Sequence, residues 1–386
     1  MSRIYLDHNA TTPLVPAALE RLTAVARDTW GNASSVHHFG QQAKAVLDEA
    51  RAQVAALLGA EPAEIVFTAG GTEGDNAAVR GAVEALEPSG RRHLIVSAIE
   101  HEAVLQTAKS LSRRGFEVSI LPVGASGVAE PEALQALLTD RTALVSVMHA
   151  NNEIGTVQPV AQLAALARDR GALFHTDAVQ TAGKVPVDVA ALGVDLLSIS
   201  AHKFGGPKGA GALWIRRGVR LAPFVTGGRQ ERNRRSGTEN VPALAGMGAA
   251  ADHARRHAAA AAPKVAALRD RLEQGVLDRV PGTAVNGERG ARVPNTTNIS
   301  FDRVESESLL IALDLEGIAV SSGSACSSGT LEPSHVLKAM GFPHHRTLNS
   351  LRFSLGSGTT EAEIERVIAV LPGLVEKLRK LAPARR

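Results

Sequence analysis

Between Glu64 and Arg217, short apolar runs alternate with segments of helical spacing, and this alternation limits the possible folds more than any other feature of the chain. The runs are IVFT from Ile65, HLIVSAI from His93, FEVSILPV from Phe116, TALVSVMHA from Thr142, ALFHTDAVQ from Ala172, VDLLSIS from Val194 and GALWIRR from Gly211. Such short, bounded apolar runs read as buried strands of a parallel sheet. Intervening segments such as Val160 to Arg170 have helical spacing, so the pattern predicts βαβ units and a mostly parallel sheet between helices, an α/β fold. Ligands of open sheets bind outside the carboxyl ends of the strands. His101, Asn152, Asp177 and Lys203 all fall there.

The flanking segments extend this frame. RIYLDHNATT reads as a short strand entering an Asx- and Thr-rich turn that could line a site, with an amphipathic helix from about Ala17. A second helix ends at Gly59, a plausible cap. In EIVFTAGGTEGDN, a strand enters Gly70, Gly71 and Thr72 and continues as a helix expected near Asp75. This is an anion-binding plan, since glycines let backbone N–H groups approach a phosphate at the positive end of a helix. By itself GGT also fits a plain turn. From Pro242 the chain turns alanine-rich and predicts one or two long helices leading to a second domain. There, TTNISF and IAVSSG read as strands, ESESLLIALDLEG as a helix, and Glu361 to about Leu381 as the last helix. The expected division is a large domain over 13–260 and a smaller α+β domain formed by 1–12 and 261–386.

Composition removes several function classes. With 42 basic and 39 acidic side chains the net charge is +3, and like charges are not blocked together, which argues against a nucleic-acid surface. No run reaches the ~20 apolar residues of a membrane span, and the N-terminus lacks the pattern of a signal peptide. A single cysteine, Cys326, excludes an internal disulfide and a multi-cysteine metal site and suits a reducing compartment. A soluble cytoplasmic protein without a metal centre is expected.

Lys203 directly follows the run LLSIS and precedes glycines. Alone it fits a solvated loop lysine; buried, its amine would be available for a Schiff base with an aldehyde cofactor. Asp177, at the preceding strand end, supplies the carboxylate that a pyridoxal 5′-phosphate site needs beside the ring nitrogen. His101 suits ring stacking or proton transfer as well as a structural role. Gln180 could donate to the ring oxygen, and Thr72, Ser200 and His202 could hold a phosphate. Arg352, inside the apolar run NSLRFSLG, fits a carboxylate clamp and a structural ion pair equally. Cys326 lies in SSGSACSSGT, whose small polar flanks point to an exposed, reactive thiol rather than a core position.

The motifs YLDHNATTP, FTAGGTEGDN, EHEAV, HANNEIGTVQP, HTDAVQTAGK, SAHKFGGPKGAGAL, RSGTENV and SSGSACSSGTLEPSHVL span nearly the whole chain. Together they resemble the cysteine desulfurases of the iron-sulphur cluster and nitrogen-fixation type. The resemblance implies a fold-type I, class V aminotransferase-like homodimer that uses pyridoxal 5′-phosphate to convert L-cysteine into L-alanine and an enzyme persulfide. It assigns Lys203 to the covalent cofactor linkage, Asp177 to the pyridine nitrogen, Gln180 to the phenolate oxygen, and His101 to stacking and proton transfer. Gly71, Thr72, Ser200 and His202 match phosphate-binding positions, and Thr238 matches a position that reaches the phosphate of the neighbouring subunit. Asn152 and Arg352 match the pair that grips the substrate carboxylate, and Cys326 the persulfide-forming cysteine. An iron-sulphur scaffold or other sulphur acceptor is the implied partner. His8 and Gly74 depart from the pattern, Gly74 standing where serine is common, and neither receives a role. A selenocysteine lyase or another aminotransferase of the same fold is the rival enzyme, and a non-catalytic scaffold is the rival from a different class.

Overall fold

A computed structural model of the 386-residue chain describes residues 3–322 and 333–381. Its strands are β1 (Ile4–Tyr5), β2 (Ile65–Thr68), β3 (His93–Ser97), β4 (Glu117–Leu121), β5 (Thr142–Ser146), β6 (Leu173–Asp177), β7 (Leu196–Ser200), β8 (Gly211–Ile215), β9 (Thr283–Val285), β10 (Thr296–Phe301), β11 (Ile318–Ala319) and β12 (Ser350–Ser354). Seven of them form one sheet in the order β2-β8-β7-β6-β5-β3-β4. From β4 to β7 all pairings are parallel, whereas β8 runs antiparallel to both β7 and β2. The reason is connection length: only residues 201–210 separate β7 from β8, too few for the crossover that a parallel return requires.

The strand runs are apolar on both alternating sets because both faces are covered. Ile65, Phe67, Ile95, Val145, Phe174, Leu197 and Ile199 belong to a core shared with the helices Pro16–Asp28, His38–Leu58, Pro131–Leu137, Val160–Asp169 and the first half of Val241–Arg279. Their neighbours Val66, Leu94, Val96, Leu144, Leu196 and Leu213 face the helices Gly71–Leu86 and Glu102–Arg113 on the other side. Each such side chain contributes roughly 1.5–3 kcal/mol on full burial, so a one-residue slip of any strand would exchange two complete apolar sets.

A separate buried cluster joins Ile4 and Leu6 to Leu272 and Val276, to Ile299 and Phe301 of β10, to Leu351 and Phe353 of β12, and to the helix Glu361–Leu381. It covers the antiparallel sheet β12-β10-β9 and the parallel pair β1-β11. Val241–Arg279 is one continuous helix serving both clusters. Pro263 lies within it at an exposed position, where water can satisfy the carbonyl left without its usual N–H partner.

Three local expectations change. The helix expected near Asp75 already begins at Gly71, which places Gly71 and Thr72 in its first turn. The strand expected over IAVSSG is confined to Ile318–Ala319, with Ser321 forming an isolated bridge to Arg352. β9 had no clear apolar signal, because its three residues are only partly covered. Among the described residues, no helix is long and apolar enough to cross a membrane.

Candidate active site

The carboxyl ends of β5, β6 and β7 and the N-terminus of the helix Gly71–Leu86 border a cavity of about 350 Å³. Gly71, Thr72, His101, Asn152, Asp177, Gln180, Ser200, His202, Lys203 and Arg352 all line it. Ten residues spread over 282 sequence positions (352 − 71 + 1) thus converge on one space.

Lys203 closes a short 3-10 turn, Ala201–Lys203, directly after β7. Its Nζ donates to the carbonyl oxygens of Asn9 at 2.6 Å and Ala10 at 2.9 Å. Burial first, then repulsion from Arg352, lowers its pKa to about 8, against the attraction of Asp177 and Asp7. Near pH 7 about a tenth of the amine is then uncharged, far more than for an ordinary lysine, and that fraction is the nucleophile. Gly205, at φ +87°, completes the turn; a Cβ there would lie 2.5 Å from Val15 Cγ1.

Asp177 is the last residue of β6 rather than the first beyond it, and its Oδ1 accepts from the Val179 N–H at 2.8 Å. Burial raises its pKa, opposed by His101 and Lys203. A protonated pyridine nitrogen is the kind of cation that would offset this cost, so the acid fits that group. His202 pairs through Nδ1 with Thr11 Oγ1 at 3.1 Å, and its pKa is lowered to about 4 by burial and by Lys203 and Lys208. At neutral pH it is an uncharged ring with Nε2 unclaimed by that contact. A Cβ at Gly71 would come within 2.8 Å of Val179 Cγ2, so glycine keeps the first turn of the helix close to the strand ends. The unpaired N–H groups of that turn suit a phosphate.

His101 caps the helix Glu102–Arg113, its Nδ1 accepting from the Ala103 N–H at 3.1 Å. In the neutral ring this puts the hydrogen on Nε2, which then presents a donor. For Arg352, even odds between clamp and ion pair resolve into a shared arrangement: NH2 donates to Asp7 Oδ1 at 2.7 Å, NH1 donates to the Asn152 carbonyl at 3.0 Å, and the buried Nε has no partner. NH1 and NH2 each keep a second hydrogen, so the guanidinium lining the cavity suits a carboxylate substrate.

Several groups in the lining or just behind it were not singled out by sequence. Asn9 is the centre of the N-terminal turn: its carbonyl accepts from Lys203 and Gln180, and its Nδ2 donates to the Asn152 carbonyl at 3.0 Å and to Thr296 Oγ1 at 2.8 Å. The signal was the polar density of DHNATT, already a turn that could line a site. Asp75 is fully buried and within 3.6 Å of His175 Nε2. Burial and the neighbouring Asp177 push its pKa up. Glu100, just before His101, accepts at Oε1 from Ser97 Oγ and the Met148 N–H, but its buried Oε2 is unpartnered, and burial raises its pKa to about 8. Gly74 also gains a reason, since a Cβ there would sit 3.1 Å from Ser198 Oγ, which pairs with His175. Among the described residues, no group of three or more His, Cys, Asp or Glu side chains could hold a metal.

One expected site residue that the structure describes is not in the cavity lining. Thr238 is exposed on this chain. It follows a turn in which Glu231, Arg232 and Asn233 all have positive φ (44°, 57° and 64°), a rare run for non-glycine residues. Buried Glu231 pins that turn through two hydrogen bonds from Arg51, at 2.7 and 2.6 Å, and one from the Phe67 N–H. Cys326 lies outside the described residues. Its flanks are tied to the rim: Ser321 exchanges backbone hydrogen bonds with Arg352, Ser334 Oγ donates to Glu153 Oε2 at 2.5 Å, and His335 Nε2 lies 2.9 Å from the Glu100 carbonyl.

The class-V aminotransferase family matches residues 4–367. A cysteine desulfurase of Nostoc sp. (strain PCC 7120) is 51% identical over 383 residues, which cover 99% of this chain and 95% of that protein. A cysteine desulfurase IscS of Dictyoglomus turgidum is 47% identical, covering 98% of this chain and 96% of its own length. The solved structure of a NifS-like protein superposes with a TM-score of 0.89 at 38% identity, over 98% of this chain and 99% of the other. With a lysine amine, a buried acid and a helix N-terminus meeting at the strand ends of such a sheet, the chain belongs to the class-V aminotransferase family, among its pyridoxal phosphate-dependent cysteine desulfurases.

Proposed function

We propose that this chain removes sulphur from L-cysteine, releasing L-alanine and leaving a persulfide on Cys326, which passes to an acceptor for iron-sulphur cluster assembly or other sulphur transfer. The observation that carries this reading is the convergence of the Lys203 amine, the Asp177 carboxylate and the Arg352 guanidinium on one cavity. When bound, pyridoxal phosphate supplies an aldehyde that condenses with amines and a ring that holds the electron pair of a bond broken in the substrate. Asp177 would hold the ring nitrogen, Gln180 the ring oxygen, and Gly71, Thr72, Ser200 and His202 the phosphate. Arg352 and Asn152 hold the substrate carboxylate. Lys203 Nζ, once free, takes the Cα proton, and His101 handles the proton of the substrate thiol. The Cys326 thiolate attacks the substrate sulphur; the S–S bond forms, the C–S bond breaks, and its electron pair stays with the alanine fragment, which is then protonated.

Cys326 is five residues beyond Ser321, which lines the cavity, and five residues of extended chain span up to about 17 Å, enough to cross it. Thr238, exposed on one protomer, is assigned to the phosphate of the neighbouring site in a homodimer. Exposed Leu19, Val36 and the stacked pair Trp30 and Phe39 supply apolar surface suited to such pairing. The division into a large domain (13–260) and a small one (1–12 with 261–386) is supported by a buried cluster around Leu272, Phe301 and Phe353 that is separate from those on the two faces of the large sheet, and the single cysteine suits the reducing cytoplasm.

Mass spectrometry of the holoenzyme after incubation with L-cysteine tests the reading: one added sulphur is expected on the peptide containing Cys326. Full sulphide release by Cys326→Ala with a physiological acceptor would sink it. Transfer of the labelled sulphur to a scaffold protein would identify the acceptor.

A further inference from the structure

Behind Gln180 lies a second, partly buried lysine that the motif reading leaves without a role. Lys184 Nζ donates to Gln180 Oε1 at 2.7 Å and to Asn9 Oδ1 at 2.9 Å. Burial, with Lys203 and Arg352 nearby, lowers its pKa well below the usual lysine range. Charged or neutral, the amine keeps at least two N–H groups, one for each acceptor.

A group that donates in these two directions dictates how both amides are turned. Gln180 must offer its oxygen to Lys184, so Nε2 is the end directed away from it. One Nε2 hydrogen goes to the Asn9 carbonyl at 3.0 Å, and the other is left for an acceptor in the cavity that Gln180 lines. Asn9 in turn offers Oδ1 to Lys184 and to Asn295 Nδ2 at 3.0 Å, so its own Nδ2 reaches the Asn152 carbonyl and Thr296 Oγ1. Without Lys184, Gln180 Oε1 loses its donor, and only the hydrogen bond from Nε2 to the Asn9 carbonyl still opposes a half-turn of the amide. Its oxygen would then meet the cofactor oxygen, and attraction would become repulsion.

We propose that Lys184 is a positioning residue, which locks the Gln180 amide with Nε2 toward the ring oxygen of bound pyridoxal phosphate and acts on the chemistry through that amide. This rests on the reading that Gln180 donates to the ring oxygen. A donor there favours the ionised oxygen, so its loss raises the pH at which the cofactor chromophore gives up its proton.

The test is an absorbance pH titration of holoenzyme for the native chain, Gln180→Ala, Lys184→Met, the double variant and Lys184→Arg, with melting temperature recorded for each. Gln180→Ala should raise the chromophore midpoint by roughly one pH unit. Lys184→Met should raise it comparably, the double variant should titrate no higher than Gln180→Ala alone, and Lys184→Arg, which retains the donors, should stay near the native midpoint. A native titration in Lys184→Met beside a shifted Gln180→Ala overturns the role of Lys184, whatever happens to the melting temperature. Shifts that add in the double variant overturn it as well, because Lys184 would then act independently. An unshifted Gln180→Ala removes the reading of Gln180 itself, and the inference with it. Should Lys184→Met fail to load cofactor, Lys184→Arg decides, and a midpoint like that of Gln180→Ala counts against the proposal.

Discussion

The two halves of the active site are built in different ways. One half, with Asp177, Ser200 and Lys203, sits at the ends of adjacent parallel strands, and its positions follow from strand register: β6 and β7 are paired over His175, Thr176 and Asp177. The other half is the turn Asp7 to Thr12 with Arg352 and Asn152, assembled by hydrogen bonds between segments hundreds of residues apart, such as Arg352 to Asp7 and Asn9 to Thr296. The sheet half holds the groups that do chemistry. The turn half sets where they point and what they grip.

This comparison predicts different kinds of damage. Lys203→Ala, in the sheet half, should reduce turnover by about 10³-fold or more while the melting temperature of the cofactor-free protein changes little, because its amine does chemistry and its hydrogen bonds end on the turn. A full loss of folding in this variant would show that the turn half depends on Lys203 for stability. Arg51→Met, outside both halves, removes the partner of the buried Glu231 carboxylate and should destabilise the protein by about 3–5 kcal/mol, read by chemical denaturation. If the left-handed turn only carries Thr238 toward a partner subunit, dimer formation should weaken along with it.

Glu100 offers a pH signature of the sheet half. Its pKa is raised from 4.5 to about 8 by burial, so the folded state binds more protons than the unfolded one between these limits. Its contribution to stability is full below about pH 4.5 and declines as pH rises through 8. Glu100→Gln should flatten that decline and, near pH 8, stabilise the cofactor-free protein by on the order of 2 kcal/mol relative to the native chain. Parallel stability curves for the two would show that Glu100 is ionised in the fold. The smallest effect is expected in the turn half: Asp7→Asn loosens Arg352, and KM for L-cysteine should rise about tenfold with kcat nearly unchanged. An equal fall in kcat would move Asp7 from substrate grip to transition-state positioning.

Much of the sheet half was legible in the sequence. Lys203 behind LLSIS and Asp177 at the end of ALFHTD occupy positions that apolar runs mark directly, and the family resemblance named their companions. Arg352 was legible as an anomaly, an arginine in an apolar run, but its role was not, because its partners Asp7 and the Asn152 carbonyl are 345 and 200 residues away. Lys184 was invisible as a site residue for a related reason. A lysine one turn after Gln180 reads as solvent-facing until tertiary packing closes over it.

The chain by itself determined the mostly parallel sheet and the strand-end location of the site, since burial on both strand faces and the geometry of strand ends are local and periodic, while the roles of the chemical groups came with the family resemblance. Only the tertiary structure decided the rest. Amide orientation, the unsatisfied Nε of Arg352 and the depressed pKa of Lys203 depend on which donors, acceptors and charges share a space of low polarity, and those neighbours come from every part of the sequence.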